Sequence, residues 1–582
     1  MPRRQSLCSM IALSLSAGIT TPLIGQEKRQ DPPPTQTPSI SILKTTTRLV
    51  VVNVVAVNRK GEPVTDLKSG DITVLENGKP QQVSSFTLEQ PETLQSQTAP
   101  LTPQLPPDVF TNVPRYKASR VWNVLLLDFM NSQVISQADL RLQLINISSK
   151  LPDEPLAVYV LTDKLHLLQD FGSNRADMER LLQGLKTSIS ARLDNAKGGH
   201  EMERYPAGFL DSLPPANREA VIRMEAQMTG AGSEARLRAT VEALSKLVRN
   251  VAALPGRKNL IWVSQSFPFS IEPGQVAKGF DSATGRSFDV SVPATANALF
   301  DSEVAIYPVD PSGMHLPDDF DPAGHGTDPL GRKETNIGAN STISNLHNAE
   351  TVSHSSVNDL AERTGGLAFY NLNDIGDAIL RSMRDGGIYY TLTYYPTDKN
   401  WDGKFRHIMV KVNRGGIKLR FRTGYFAIDP AISGAGGLRA AQDSQFRQAM
   451  ELDAPVSTAL LFTAKVIPPS PSQSAMAFDF LLQPHTLTIQ AGTDGLHRVS
   501  LECAVQAFND KGERVNAAGN TMAGSLTPEA YGNVSSHGFP CRQTLELPPG
   551  KYWLRLGVRD NLSGHIGTVN AVSIVPDPAK AK

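Results

Sequence analysis

The sequence predicts a multidomain protein in which a doubly wound α/β core stands between β-sandwich-like modules. Three observations predict it. Between residues 119 and 386, near-continuous apolar runs alternate with stretches of helical periodicity, the pattern of parallel strands covered on both faces. On either side, short β-branched segments alternate apolar and polar residues between turns rich in Gly, Asn and Pro. The length, 582 residues, exceeds what one hydrophobic core supports, and 40% hydrophobic with 20% charged residues is the composition of folded domains. Lys+Arg and Asp+Glu both number 57, so the formal net charge is zero. No basic excess points to nucleic acid or to an anionic membrane surface.

The amino terminus, "MPRRQSLCSMIALSLSAGITTPLIGQEKRQ", carries two early arginines, an apolar stretch from Leu7 to Ile19 and then the small residue Gly25. These are the three parts of a secretory signal peptide, expected over residues 1–25. The apolar stretch falls short of the roughly 20 residues that a membrane span requires. Cys8 has the wrong position and neighbours for a lipoprotein cleavage site. The expected location is therefore secreted or periplasmic, with no membrane spanned after signal removal. Residues 26–43 ("DPPPTQTP") read as a disordered leader.

Residues 44–90 form a small β-module. "TRLVVVNVVAVNRKGEPVTDL" alternates and turns at "NRKGEP"; "DITVLENGKPQQVSSFTLE" follows, with "ENGK" as a hairpin turn because Asn and Gly tolerate positive φ. Residues 91–118, rich in Pro and Thr, read as a linker.

The core, residues 119–386, opens with the strand "VWNVLLLDF" and the amphipathic helix "SQADLRLQLINISSKL". "EPLAVYVLTD" is the next strand and "NRADMERLLQGLKT" the next helix. "EARLRATVEALSKLVRNVAAL" has apolar residues at 3–4 spacing and reads as a long helix. Strands "KNLIWVSQSF", "EVAIYPVDP" and "GLAFYN" and helices "SSVNDLAERTG" and "DIGDAILRSMRD" complete the series. Ligand sites in such sheets lie beyond the carboxyl ends of the strands, where Asp128, Ser264 and Asp310 fall.

β character returns in residues 387–430 ("IYYTLTYYPTDKNWDGKFRHIMVKVNRGGIKLRFRTGYFAI") and again in 450–577, which reads as a β-sandwich-like domain with turns "FNDKGER", "LPPGKY" and "VRDNLSG". Cys503 and Cys541 both lie there in strand-like sequence. An oxidising compartment permits them to pair; two buried free thiols are the alternative.

Taken in order, "VLLLDFMNS", "NLIWVSQSF", "EVAIYPVD", "LAERTGGLAFYN", "YYTLTYYP" and "LRFRTGYF" resemble the acidobacterial VWFA-related domain proteins, secreted proteins with a von Willebrand factor A-type domain. "VNRKGEPVTDLKSGDITVLENGKPQQVSSF" is similar to the module that precedes that domain in the family. The resemblance runs from about Thr45 to Ile428. It implies a metal-ion-dependent adhesion site, in which a D-x-S-x-S loop after the first strand, a threonine and a second aspartate hold Mg²⁺ or another divalent cation. A partner carboxylate then completes the shell. On that pattern Asp128 matches the first aspartate and Ser132 the last serine. This chain departs from it twice. Met130, a poor ligand for a hard cation, replaces the middle serine, and Ser264 stands where the second aspartate should end its strand. Ser173, Thr187 and Ser188 are the candidates for the threonine. Asn131, Ser264 and Asp310 complete the expected partner face. An alternative is that Asp128 caps the following helix or binds loop amides at the sheet edge.

A second constellation lies in the 310–356 region. Asp310, Asp318, Asp319, Asp321, His325 and Asp328 cluster, and His354 neighbours Ser353, Ser355 and Ser356. The spacing is not that of a calcium loop, and no G-x-S-x-G elbow supports a hydrolase. Thr364 to Gly366 read as a helix C-cap and turn. The sequence thus predicts a non-enzymatic interaction or adhesion-type protein with a protein partner and a degenerate metal site. Its alternatives are an extracytoplasmic hydrolase using residues 310–356, and a scaffold whose C-terminal β-domain does the recognising.

Overall fold

At the centre lies a five-stranded sheet in the order Val304–Val309, Arg257–Val263, Val121–Asp128, Leu156–Leu161, Leu165–Gln169. The first four strands are mutually parallel, and the last runs antiparallel to its neighbour. The computed structural model describes residues 49–90, 105–114, 116, 119, 121–132, 154–171, 235–267, 291–311, 357–372, 374–428, 436–470, 475–492 and 494–576. The strand Val121–Asp128 is apolar almost throughout because both its faces are covered. Trp122, Val124 and Leu126 share a core with Leu237, Val241, Leu244 and Val248 of the helix 235–251. Leu125 and Leu127 face the other way, toward Ala378, Ile379 and Met383 of the helix Ile375–Arg384. That second helix starts at Asp374, whose carboxylate accepts from Gly376 N, and ends on Arg381 and Arg384, placed to complement its dipole.

The stretches 44–90 and 387–430, read from sequence as two separate pieces, interleave into one two-sheet module around the α/β core. Val50–Val57 lies between Tyr389–Tyr394 and Lys418–Arg420, with Val83–Glu89 at the far edge. The second sheet pairs Ile72–Glu76 with Asp402–Val412, flanked by Lys79–Gln81 and Gly424–Ile428. The hairpin at "ENGK" turns through Asn77 (φ 47°) and Gly78 (φ 81°), two successive left-handed residues that match the twist of the flanking strands. Buried Glu76 ties the sheets together, accepting from Tyr394 Oη at 2.8 Å and Tyr425 Oη at 3.0 Å. The helix Ser291–Asp301 docks the module onto the core: Asn297 Nδ2 donates to the Phe426 carbonyl at 2.8 Å, and Phe426 N returns a bond to Asn297 Oδ1 at 2.9 Å.

The C-terminal part is a sandwich. One sheet orders Phe539–Leu545, Met476–Leu482, Phe462–Ile467 and Val109–Thr111; the other orders Gln490–Ala491, His497–Phe508, Gly550–Asp560 and Ile566–Val575, with Arg514–Leu526 also paired to His497–Phe508. Val109–Thr111 belongs to the stretch expected as a linker and instead forms an edge strand here, in antiparallel register with Thr463–Lys465. Asn112 fixes it, donating to the Ser457 and Leu460 carbonyls at 2.8 Å each and accepting from Phe462 N at 2.9 Å. The chain is thus multidomain and mostly β, with one mixed α/β sheet.

Candidate functional site

Asp128 ends its strand at the carboxyl edge of the parallel sheet, as its sequence position predicts. The backbone then turns sharply: Phe129 N and Met130 N both donate to the Leu161 carbonyl, at 2.9 and 3.0 Å. That turn brings Asn131 back over the carboxylate. Asp128 Oδ1 accepts from Asn131 N at 3.0 Å, while Oδ2 accepts from Asn131 Nδ2 at 2.8 Å, Trp262 Nε1 at 3.0 Å and Ser264 Oγ at 3.2 Å. The Ser264 hydroxyl is shared with the Ser266 carbonyl at 2.7 Å.

Asp128 is 0% exposed, and burial pushes its carboxyl up to about 6 against the opposing pull of those hydrogen bonds. The sheet register explains the cluster. Leu126 pairs with Trp262, so by strand alternation Asp128, Trp262 and Ser264 share the face toward the helix 235–251. That helix contributes Thr240, whose Oγ1 accepts from Asn131 Nδ2 at 3.2 Å.

These residues do not fit a divalent cation. Four protein donors take both oxygens of the single carboxylate, and a hard ion needs those lone pairs. Met130, at the middle serine position, is 0% exposed and packs into the core with Trp122 and Leu126. Ser132 is buried too, its Oγ accepting from Gln265 N at 3.3 Å. Of the two expected metal ligands, Asp128 accepts internal donors and Ser132 anchors the neighbouring loop. Among the described residues no group of three or more His, Cys, Asp or Glu side chains is placed to hold a metal. The arrangement matches the alternative in which Asp128 binds loop donors at the sheet edge.

The expected partner face needs correction as well. Asn131 and Ser264 are buried beneath it, at 4% and 0% exposure, because they turn inward to Asp128. Asp310 is half-buried, its N donating to the Phe369 carbonyl at 2.8 Å. Among the described residues at this end, Asp163, Lys164 and Ser266 are exposed. Sequence reasoning missed Trp262 and Thr240. A tryptophan in an otherwise aliphatic strand was the available signal for the first, since a buried indole N–H needs an acceptor. Ser173, Thr187, Ser188 and the residues of 312–356, including His325 and His354, lie outside the described residues. Thr364 caps its helix, with Oγ1 at 3.0 Å from the Leu360 carbonyl, and Gly365 takes φ 81°. Cys503 and Cys541 both point into the core of the sandwich.

The fold and this site define a mostly β multidomain protein with a closed carboxylate cluster at the strand ends of its α/β sheet. Neither a protein-family model nor a curated protein matches the chain. Among solved structures it is similar to an aerotolerance-related membrane protein from Bacteroides fragilis NCTC 9343, solved with multiple mutations to serines. The TM-score is 0.21 at 10% identity, covering 45% of this chain and 98% of that one. Among the described residues, no helix is long and apolar enough to cross a membrane.

Proposed function

We propose that this chain is an extracytoplasmic, non-enzymatic interaction protein built on a von Willebrand factor A-type domain, which engages a protein partner without a metal ion. The observation that carries the reading is the closed cluster around Asp128. In an adhesion site of the metal type that carboxylate must be open to a cation; here Trp262, Asn131 and Ser264 satisfy it from within. It serves as a structural pin that fixes the carboxyl ends of two parallel strands and leaves their rim, with Asp163, Lys164 and Ser266, as the recognition surface. Export follows from the amino-terminal pattern, and the A-type domain from the ordered motifs.

A second reading places recognition on the C-terminal sandwich. Trp553, Val572 and Ile574 are 39%, 37% and 64% exposed, and Trp553 and Val572 are cross-strand partners on one outer face. Exposed apolar clusters of this kind mark interaction surfaces.

Site-directed photo-crosslinking separates the two. A crosslinking residue at Asp163 or Ser266 should give an adduct in intact cells that survives EDTA, and one at Trp553 or Val572 should give none. Adducts confined to the sandwich positions would sink the first reading in favour of the second. An adduct at Ser266 abolished by EDTA would refute metal independence.

A further inference from the structure

Cys503 and Cys541 come from different sheets of the C-terminal sandwich and meet in its interior. Cys503 lies on His497–Phe508 between Leu501 and Val505, on the inward face, and pairs across the strand with Val558. Cys541 lies on Phe539–Leu545, opposite Phe480. Both side chains belong to one core cluster, with Leu501, Val505, Phe480 and Leu482 around them. In the structure both are free, buried thiols near enough to act on each other's charge, and Gln543 Nε2 sits 3.8 Å from Cys541 Sγ.

We infer that Cys503 and Cys541 are joined by a disulfide that staples the two sheets of the sandwich. The oxidant is itself a disulfide, either of a small thiol or of a thiol-disulfide oxidoreductase. The Cys541 thiolate attacks one oxidant sulfur; a mixed disulfide forms, and the other oxidant sulfur leaves as a thiolate. Cys503, once deprotonated, attacks the Cys541 sulfur and expels the second oxidant sulfur. In sum, two protons and two electrons pass from the cysteine pair to the oxidant. Either cysteine can take the first part, because their mutual contact forms only once the sheets have closed. Cys503 is 0% and Cys541 6% exposed, so the exchange takes place before the sheets have closed over them. The pairing rests on the sandwich geometry; only the source of the oxidant rests on the extracytoplasmic reading.

The test uses the full chain made in two ways: exported from a bacterial cell, and produced in a reducing cytoplasm, then unfolded and refolded with oxidised and reduced glutathione. Each sample is unfolded in guanidinium with excess N-ethylmaleimide and no reductant, then digested with trypsin. Peptides 499–511 and 515–542 carry the two cysteines. The expected result in both samples is one linked species, two hydrogens lighter than the sum of its peptides and without label, which dithiothreitol resolves into both. Cys503→Ala should leave 515–542 unlinked and labelled, showing that the link is specific. Full labelling of both peptides in the glutathione-refolded chain overturns the inference. A link in the refolded chain with labelled thiols in the exported sample supports the pairing and counts against the proposed compartment.

Discussion

Trp262 donates its indole N–H to the Asp128 carboxylate at 3.0 Å, across two neighbouring parallel strands. The same oxygen takes Asn131 Nδ2 at 2.8 Å. A carboxylate committed to such partners is a structural acceptor, and the behaviour of the α/β domain toward metal, mutation and pH follows from that.

Toward metal, the melting curve of the full chain in EDTA should superimpose on those in millimolar Mg²⁺, Mn²⁺ or Ca²⁺. A ligand at 100 times its Kd that binds only the folded state adds about 2.7 kcal/mol, which moves Tm by several degrees in a domain of this size. A cation-dependent rise of that size, lost in Asp128→Ala, would mean that the cluster opens to admit an ion.

Toward mutation, Asp128→Ala leaves Trp262 Nε1 and Asn131 Nδ2 buried without their shared acceptor and should cost about 1–3 kcal/mol in a urea titration. Trp262→Phe removes one donor and should cost less. The double variant should be less destabilised than the sum, because both changes break the same bond. Costs that add to within about 0.5 kcal/mol would show that the contact carries little coupling.

Toward pH, the sign is set by burial. The Asp128 carboxyl is held at about 6 in the fold against 3.8 for the free side chain, so between those values the folded state binds more protons. Its contribution is fully present below about 3.8 and is lost as pH rises through about 6. Relative to Asp128→Asn, the unsubstituted chain should gain about 2.4 kcal/mol on going from pH 7 to pH 4, taking 1.36 kcal/mol per unit of pKa and the partial ionisation of the unfolded carboxyl at pH 4. Parallel stability profiles for the two proteins would contradict this.

In the β-module, Glu76→Ala deprives two buried tyrosine hydroxyls, Tyr394 and Tyr425, of their acceptor. A loss of about 2–4 kcal/mol should follow, and Tyr425→Phe, which removes only one donor, should lose about 1 kcal/mol. Equal losses from the two would indicate that Tyr394 has another partner.

If Cys503 and Cys541 are bonded, reduction should lower the stability of the sandwich by about 4 kcal/mol, the loop-closure entropy for a segment of that length. The Cys503→Ala variant should melt at the same temperature with and without dithiothreitol. A fall in the unsubstituted chain no larger than in the variant would rule out a stabilising bond.

The strands were legible where burial is two-sided. "VWNVLLLD" is apolar because helices cover it on both faces, and that environment writes itself into consecutive residues. Asp128 was legible as a strand-end carboxylate for the same reason. Its partners were not. Trp262 reaches it because the strand Arg257–Val263 lies beside Val121–Asp128, and strand order is a tertiary choice that no local pattern encodes. The β-module was read as two pieces because its pairings, such as Val52 with Leu392, bridge the whole α/β core. Local alternation reveals a strand's faces but not its neighbour.

The short strand Val109–Thr111 has a consequence for biosynthesis. It emerges from the ribosome just ahead of the α/β core, yet its hydrogen-bonding partner is Phe462–Ile467, and Asn112 is matched to Phe462 at a separation of 350 residues. Until the last quarter of the chain has been made, this edge has nothing to pair with. A chain released early, or cut after the β-module, exposes an unpaired strand of β-branched and aromatic residues, the kind of edge that recruits other chains. Folding that waits until synthesis is complete shortens that exposure.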